Sequence, residues 1–160
     1  MAASRPTARL AEQFDQAEQR AGRLIESVAA TLERLRVVQN RRANGVGLPG
    51  RLARHPPALA IKLEAALSRQ AEQSFEQLRL CLEELEINVR NLQGAMSTFE
   101  DEAIFHTLGN EYWRKRLLLE AALVSDDGEV WDALALQWPR PAAMVATATR
   151  DEPCAAVGPS

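Results

Sequence analysis

An unbroken heptad pattern constrains this chain more than any other feature of its sequence. Apolar residues recur at alternating intervals of three and four across residues 75–99. They are Phe75, Leu78, Leu82, Leu85, Val89, Leu92, Met96 and Phe99. This alternation keeps one apolar seam on one side of a helix and is typical of coiled coils. We therefore predict that the segment is helical and that its seam packs against another helix.

A second long helix is predicted nearer the N-terminus, over residues 7–42. Its seam consists of Leu10, Phe14, Ala17, Ala21, Leu24 and Val28. Glycines and prolines interrupt the pattern over residues 43–57, so the chain can reverse direction there. The helical pattern then resumes at residue 58 and extends to about residue 105. We expect the two long helices to pack as an antiparallel hairpin.

The distribution of charge favours the same pairing of helices. Residues 7–42 contain seven arginines and five acidic residues, whereas residues 58–105 contain four basic and nine acidic residues. Helices of opposite net charge attract each other when they lie side by side.

Two short helices are predicted after the hairpin. Ser97 and Thr98 precede acidic residues as in a capping box, so the long helix either kinks there or a new turn starts. Residues 110–124 and 129–138 then show helical patterns, and Pro139 follows the second of them. Residues 142–160 are small or polar without periodicity, so we predict a disordered tail. The expected organisation is an N-terminal extension (1–6), one helical domain (7–141) and the tail.

Composition supports an all-α fold with a thin core. Ala, Glu, Lys, Leu and Arg make up 83 of the 160 residues, which is the share expected of long helices and coiled coils. Only eight residues are aromatic, so Leu and Ala must supply most of the core. The predicted fold is an antiparallel, coiled-coil-like hairpin of long helices with two short C-terminal helices.

No residue pattern in the chain indicates catalysis or metal binding. The two histidines, His55 and His106, lack Cys, His or Asp partners at ligand spacing. Cys81 and Cys154 stand far apart, without disulfide or metal spacing, which suggests a reducing, intracellular compartment such as the nucleus or cytoplasm. No apolar stretch reaches the length of a membrane span. We expect a protein that is not an enzyme and uses no cofactor.

Aromatic residues near the C-terminus are candidates for partner binding. Tyr112, Trp113, Trp131 and Trp138 are four of the eight aromatics and lie within 27 residues. Such residues either cap the open end of the hairpin or contact a partner, since large rings offer much contact area for little entropy lost. We expect Trp131 in the core and Tyr112, Trp113 and Trp138 in contact with a partner. Leu85 and Leu92 are expected to join them where the seam is left uncovered.

Part of the chain resembles the cyclin-dependent kinase 2-interacting protein family. The matching strings are Tyr112 to Leu119 (YWRKRLLL) and Trp138 to Pro141 (WPRP), with residues 75–99 where the family has its second long helix. The resemblance implies a nuclear adaptor that binds replication kinases and checkpoint proteins. It also implies a helical ribosome-maturation partner and a complex with AAA ATPases.

The sequence therefore predicts a non-enzymatic helical adaptor or scaffold subunit that binds helical protein partners. One alternative is a self-associating structural coiled coil of a cytoskeletal or tethering complex. The other is a helical module that binds nucleic acid. The latter is the weaker prediction, because Arg41, Arg42, Arg51 and Arg54 lack interleaved aromatics on a chain of net charge -3.

Overall fold

The computed structural model describes residues 2–48 and 57–141, and these residues are all-helical. The four helices are α1 (Arg5–Ala43), α2 (Pro57–Ala95), α3 (Phe99–Leu123) and α4 (Gly128–Gln137). The described ranges contain no strand, so the predicted all-α class is confirmed. None of these helices combines the length and the apolar composition needed to cross a membrane. The predicted tail, Cys154 and His55 lie outside the described residues.

The two long helices, α1 and α2, contact each other more extensively than any other pair of elements. On α1 the fully buried apolar residues are Phe14, Ala17, Ala21, Ile25 and Val28. Arg42, near the end of α1, pairs with Glu64 near the start of α2 at 2.7 Å, and Arg20 pairs with Glu84 at 2.7 Å. These contacts are compatible with the predicted hairpin and join the helices through opposite charges, as the charge distribution predicted.

The buried row of α2 differs from the predicted seam in every second position. Its members are Leu67, Ala71, Ser74, Leu78, Cys81, Leu85, Asn88 and Leu92. Leu78, Leu85 and Leu92 were predicted, but the intervening positions are polar or small. The predicted Phe75, Leu82 and Val89 are partly buried beside them and pack on the clusters that include α3 and α4. The apolar face of α2 is broad because it meets more than one neighbouring helix.

The second long helix ends ten residues earlier than the sequence pattern predicted, at Ala95 instead of about residue 105. The cause is a capping box: the Thr98 hydroxyl accepts a hydrogen bond from the Asp101 N–H at 3.1 Å, and the Asp101 carboxylate accepts one from the Thr98 N–H at 3.1 Å. A new helix therefore begins at Phe99. The resulting α3 has 25 residues, so the prediction that both C-terminal helices are short was wrong for this one.

Smaller boundary differences also follow from the structure. Helix α1 begins at Arg5, so the predicted N-terminal extension overlaps its first turn. The chain after α1 continues to Leu48, which is buried with Val38 of α1 and Leu67 of α2. Gly45 in this segment has a positive φ of 65°, a conformation that glycine adopts without steric cost.

Asp101 fastens the start of α3 to the start of α1. Its fully buried carboxylate accepts hydrogen bonds from the Ser4 N–H at 2.9 Å and from the Ser97 N–H and hydroxyl at 3.0 Å each. Burial alone would raise the pKa of Asp101, but the bonds from Ser4, Ser97 and Thr7 hold that pKa well below its usual range. The N-terminal ends of two helices also favour a negative charge at this point.

We predict that Asp101→Asn lowers the melting temperature at neutral pH. The melting temperature of the variant should also fall less steeply than that of wild type as the pH is lowered. Because folding lowers the pKa of Asp101, the stabilisation is complete above the unfolded-state pKa of about 4 and is lost as pH falls below it. Melting followed by circular dichroism from about pH 7 to about pH 2 should show the two proteins converging. Asp132→Asn on the exposed surface of α4 is the control. A constant difference between Asp101→Asn and wild type across that range would contradict the prediction.

The α1–α2 seam yields a second prediction about stability. Leu85 is fully buried, so Leu85→Ala should lower the free energy of unfolding by ~2–5 kcal/mol. Leu80→Ala makes the same chemical change at a position that is 55% exposed and should cost less than ~1 kcal/mol. Chemical denaturation measures both variants. Equal losses would show that the seam is not a packed interface.

Candidate protein-docking site

The outward-facing side of α3 carries large apolar residues that no other part of the described chain covers. Phe99 is 86% exposed, Trp113 57%, Leu117 66% and Val124, the residue after the helix, 89%. At 100° per residue, all four positions fall within about 40° of the helix circumference. We call this set the outer stripe. It differs from scattered surface hydrophobics because its members share one face.

The outer stripe has the spacing of a helix–helix interface. Exposed residues recur along it at alternating intervals of four and three: Phe99, Ala103, His106, Asn110, Trp113, Leu117, Glu120 and Val124. This is the pattern by which one helix packs along another, here with polar residues at His106, Asn110 and Glu120. A polar residue within such a row favours particular partners and registers over others.

Trp113 is held in position by its neighbours before any partner binds. The Arg116 guanidinium lies 5.2 Å from the centroid of the Trp113 ring, and the Tyr112 ring lies 5.6 Å away. Arg116 is itself fixed by a hydrogen bond from Nε to the Glu120 carboxylate at 2.8 Å. A side chain that is already ordered loses less entropy on binding, so Trp113 suits the role of an anchor.

The opposite side of α3 is fastened to the rest of the chain by apolar packing. Leu108 and Tyr112 join a cluster with Phe14 of α1 and with Leu85 and Leu92 of α2. Farther along, Leu119 and Ala122 pack in the cluster that contains Trp131 and Trp138. Because α3 is apolar on both sides and the described residues cover only one of them, the outer stripe is fixed in place and exposed within the described part of the chain.

A buried polar cluster, which we call the Trp138 clasp, anchors the C-terminal half of α3. It comprises Glu18, Glu111, Arg114, Lys115, Trp138 and Arg140. The Lys115 ammonium is fully buried; it donates to the Trp138 carbonyl and to the Glu111 carboxylate at 3.1 Å, and lies 4.3 Å from the centroid of the Trp138 ring. The Trp138 indole N–H donates to the Glu18 carbonyl of α1 at 3.0 Å. The clasp thus joins α1, α3 and the end of α4.

The charges in the clasp are paired with one another and with Asp15 of α1. Burial lowers the pKa of Lys115 despite the opposing effect of the Glu18 and Glu111 carboxylates. Burial alone would raise the pKa of Glu111, but hydrogen bonds from Arg114 and Lys115 bring it below its usual value. Arg140 pairs with Asp15 at 2.5 Å and with Glu18 at 3.1 Å. With its charges paired in this way, the clasp is a structural device and offers no vacant charge to a ligand.

Arg114 completes the clasp by capping α4. Its guanidinium donates to the carbonyls of Gln137 at 2.6 Å, Trp138 at 3.0 Å and Pro139 at 3.1 Å. The last carbonyls of a helix lack partners within the helix, and a cation there also interacts favourably with the helix dipole. The ring of Trp138 packs so closely on Gly22 of α1 that a Cβ at Gly22 would lie 3.3 Å from it.

Of the five residues predicted to bind a partner, the structure exposes one and buries four. Trp113 is exposed, as that role requires. Tyr112, Trp138, Leu85 and Leu92 are buried within the chain, so the expectation that they contact a partner directly is corrected. The sequence could not tell Trp138 from an exposed anchor, because the residues that cover it are distant along the chain. The expectation for Trp131 is confirmed, since it is fully buried and stacks on Phe75 at 5.1 Å.

Sequence reasoning missed the other members of the outer stripe. The heptad pattern places Phe99 in the α2 seam, Leu117 appears only within the string that resembles the family, and Val124 appears only as the end of a predicted helix. Polar residues at His106, Asn110 and Glu120 lie between the large apolar members, so no continuous apolar row marks this face in the sequence. The predicted third helix also begins at residue 110, which leaves Phe99 outside it.

Comparison of the chain with protein-family models, with curated proteins and with solved structures found no match. The resemblance to the cyclin-dependent kinase 2-interacting protein family therefore stays a prediction. Within residues 2–48 and 57–141, no group of three or more His, Cys, Asp or Glu side chains is placed to hold a metal ion. The outer stripe is the candidate functional site.

The positions of the tryptophans predict how they contribute to stability. Trp138→Ala should lower the free energy of unfolding by ~3–5 kcal/mol, because it empties a buried site and leaves the Lys115 ammonium without its aromatic cover. Trp113→Ala removes the same side chain from a mostly exposed position and should cost less than ~1 kcal/mol. Thermal and chemical denaturation of both variants provide the measurement. An unchanged melting temperature for Trp138→Ala would show that the clasp does not form.

Proposed function

We propose that this chain is a non-enzymatic helical adaptor or scaffold subunit that docks a helix of a partner protein on the outer stripe of α3. The observation that carries the proposal is the unpartnered row of apolar residues with helix-packing spacing, anchored by the positioned Trp113. Exposed apolar residues that share one face are typical of protein-binding sites. A helix that lies along such a row is a common mode of peptide recognition.

We also propose that α1 and α2 form an antiparallel hairpin that serves as the platform for this site. The pairing of Arg42 with Glu64, and of Arg20 with Glu84, supports this arrangement, since the later residue of α1 meets the earlier residue of α2. A rigid platform matters for binding because a site on a fixed helix keeps its residues in register. At 1.5 Å per residue, the 25 residues of α3 offer a surface about 37 Å long.

The family resemblance extends this proposal to a particular setting. It suggests partners among cyclin-dependent kinases, checkpoint proteins and AAA ATPase complexes linked to ribosome maturation, in the nucleus or cytoplasm. The self-associating alternative uses the same stripe with a second copy of the chain as the partner. We place it second because His106, Asn110 and Glu120 interrupt the apolar row near its middle and end. Nucleic-acid binding comes third, since the stripe itself is apolar.

The experiment compares two substitutions that each replace an exposed apolar residue of the full-length chain with aspartate. Tagged wild type, Leu117→Asp and Ile61→Asp are purified from cells that naturally express the protein, and the co-purifying proteins are quantified by mass spectrometry. Leu117 lies in the outer stripe, whereas Ile61 lies on α2 and is exposed to a similar extent, 57%. A charge placed in a desolvated interface costs several kcal/mol, so Leu117→Asp should reduce the bound partner by about tenfold or more. Ile61→Asp should retain it.

The size of the purified chain separates the adaptor from its rival. Light scattering after gel filtration should show a monomer for wild type and for Leu117→Asp. A stable homodimer that Leu117→Asp converts to monomer would instead establish the self-associating coiled coil. Identical partners in all three purifications would rule out the outer stripe as the docking site.

A further inference from the structure

A second surface of the protein, on α1 and α2, combines apolar and basic residues. Two shallow depressions of about 450 and 500 Å³ lie between these helices and are lined by no residue of α3 or α4. The first contains Leu24, Leu80 and Cys81, and the second contains Leu10. Ile87, which is 55% exposed, lies one turn from Glu84 of the first depression and one turn from Asn91 of the second. We call this surface the basic groove.

The α1 edge of the basic groove carries four arginines and no acidic residue. Arg20 and Arg23 line the first depression, and Arg5 and Arg9 line the second. Of the described residues that line the two depressions, only Glu84 is acidic, and both of its carboxylate oxygens accept hydrogen bonds from Arg20 at 2.7 Å. None of the ion pairs between described residues includes Arg5, Arg9 or Arg23. The groove therefore has an excess of positive charge although the chain as a whole is acidic.

We propose that the basic groove binds an acidic amphipathic helix of a second partner protein. The apolar residues Leu10, Leu24, Leu80 and Ile87 receive its apolar side, and Arg5, Arg9 and Arg23 pair with its carboxylates. From Arg5 to Leu24 the groove measures about 28 Å at 1.5 Å per residue, which matches a helix of about 20 residues. This proposal does not depend on the outer stripe, since the two surfaces share no residue. With both occupied, the chain holds two partners at once.

The apolar residues of the groove favour a helix over a nucleic acid. Leu80 and Ile87 are large and more than half exposed. Aliphatic side chains of this kind offer neither a ring for stacking on bases nor a charge for binding phosphates. Aromatic side chains, which nucleic-acid surfaces use for stacking, do not line either depression. An amphipathic helix uses both parts of the groove, because it buries its apolar side while its charged flanks meet the arginines.

Two designed peptides test the proposal with the full-length protein. Each is a helix of about 20 residues with leucines at heptad spacing; one carries glutamates beside the leucines and the other carries lysines at the same positions. Fluorescence anisotropy measures the affinity of each labelled peptide at low and moderate salt. We expect the acidic peptide to bind about tenfold or more tightly than the basic one, with a preference that shrinks as salt screens the charges.

Substitutions in the groove define the site. Leu80→Asp should weaken binding of the acidic peptide by about tenfold or more, and the double variant Arg9→Glu with Arg23→Glu should reverse the preference between peptides. Ile61→Asp is the matched control outside the groove, and Trp113→Ala on α3 should leave the affinity unchanged. Circular dichroism verifies that each variant stays helical; if Leu80→Asp loses helicity, Ile87→Asp takes its place.

Three results would overturn the proposal. The first is equal affinity for the two peptides, or no binding of either. The second is a loss of binding with Trp113→Ala but not with Leu80→Asp, which would show that the peptide binds at the outer stripe. The third is tighter binding of a duplex DNA or single-stranded RNA oligonucleotide that depends on the arginines but not on Leu80, which would identify a nucleic-acid site.

Discussion

Packing of α1 against α2 is the interaction on which the rest of the structure depends. With eight aromatic residues in the chain, the core is thin and is made mainly of leucine, alanine and other small or branched side chains. A two-helix layer cannot enclose such a core by itself, because each helix also exposes apolar rows beside the shared seam. On one side Phe75, Leu82 and Val89 pack towards α3 and α4. The other side stays open as the basic groove.

Buried polar groups decide how the C-terminal helices are held on this layer. Asp101 acts at the start of α3 and the Trp138 clasp acts near its middle, and in both places buried polar groups find partners. A buried ionic group stabilises little in net terms, but loss of one partner leaves a costly unpaired charge. These clusters therefore fix the position of α3 more than they add to stability. With α3 fixed, its uncovered apolar side becomes a surface of defined shape.

The two surfaces differ in the chemistry of the partners they suit. The outer stripe presents an aromatic anchor with leucine and valine, whereas the basic groove presents leucine and isoleucine beside the arginines at its α1 edge. They lie on different helices and share no residue, so the proposed partners would not compete for the same side chains. This arrangement is the physical argument for the proposal that the chain is an adaptor.

The sequence by itself determined the helical class, the two long helices, the interruption of the helical pattern between them and the burial of Leu78 and Trp131. Local periodicity and Gly/Pro content specify these features. The sequence placed Leu85 and Leu92 on the same seam but predicted partner contact for them, and the structure buries both. The sequence also contains the capping box at Thr98. The heptad pattern of apolar residues continues past Thr98 to Phe99, so the predicted second helix was too long. Only the tertiary structure decided that Trp138 is buried and Trp113 exposed. Trp138 is buried by Glu18, Gly22 and Lys115, residues that are distant along the chain and meet it only when the helices pack. Trp113 faces away from that packing and stays exposed.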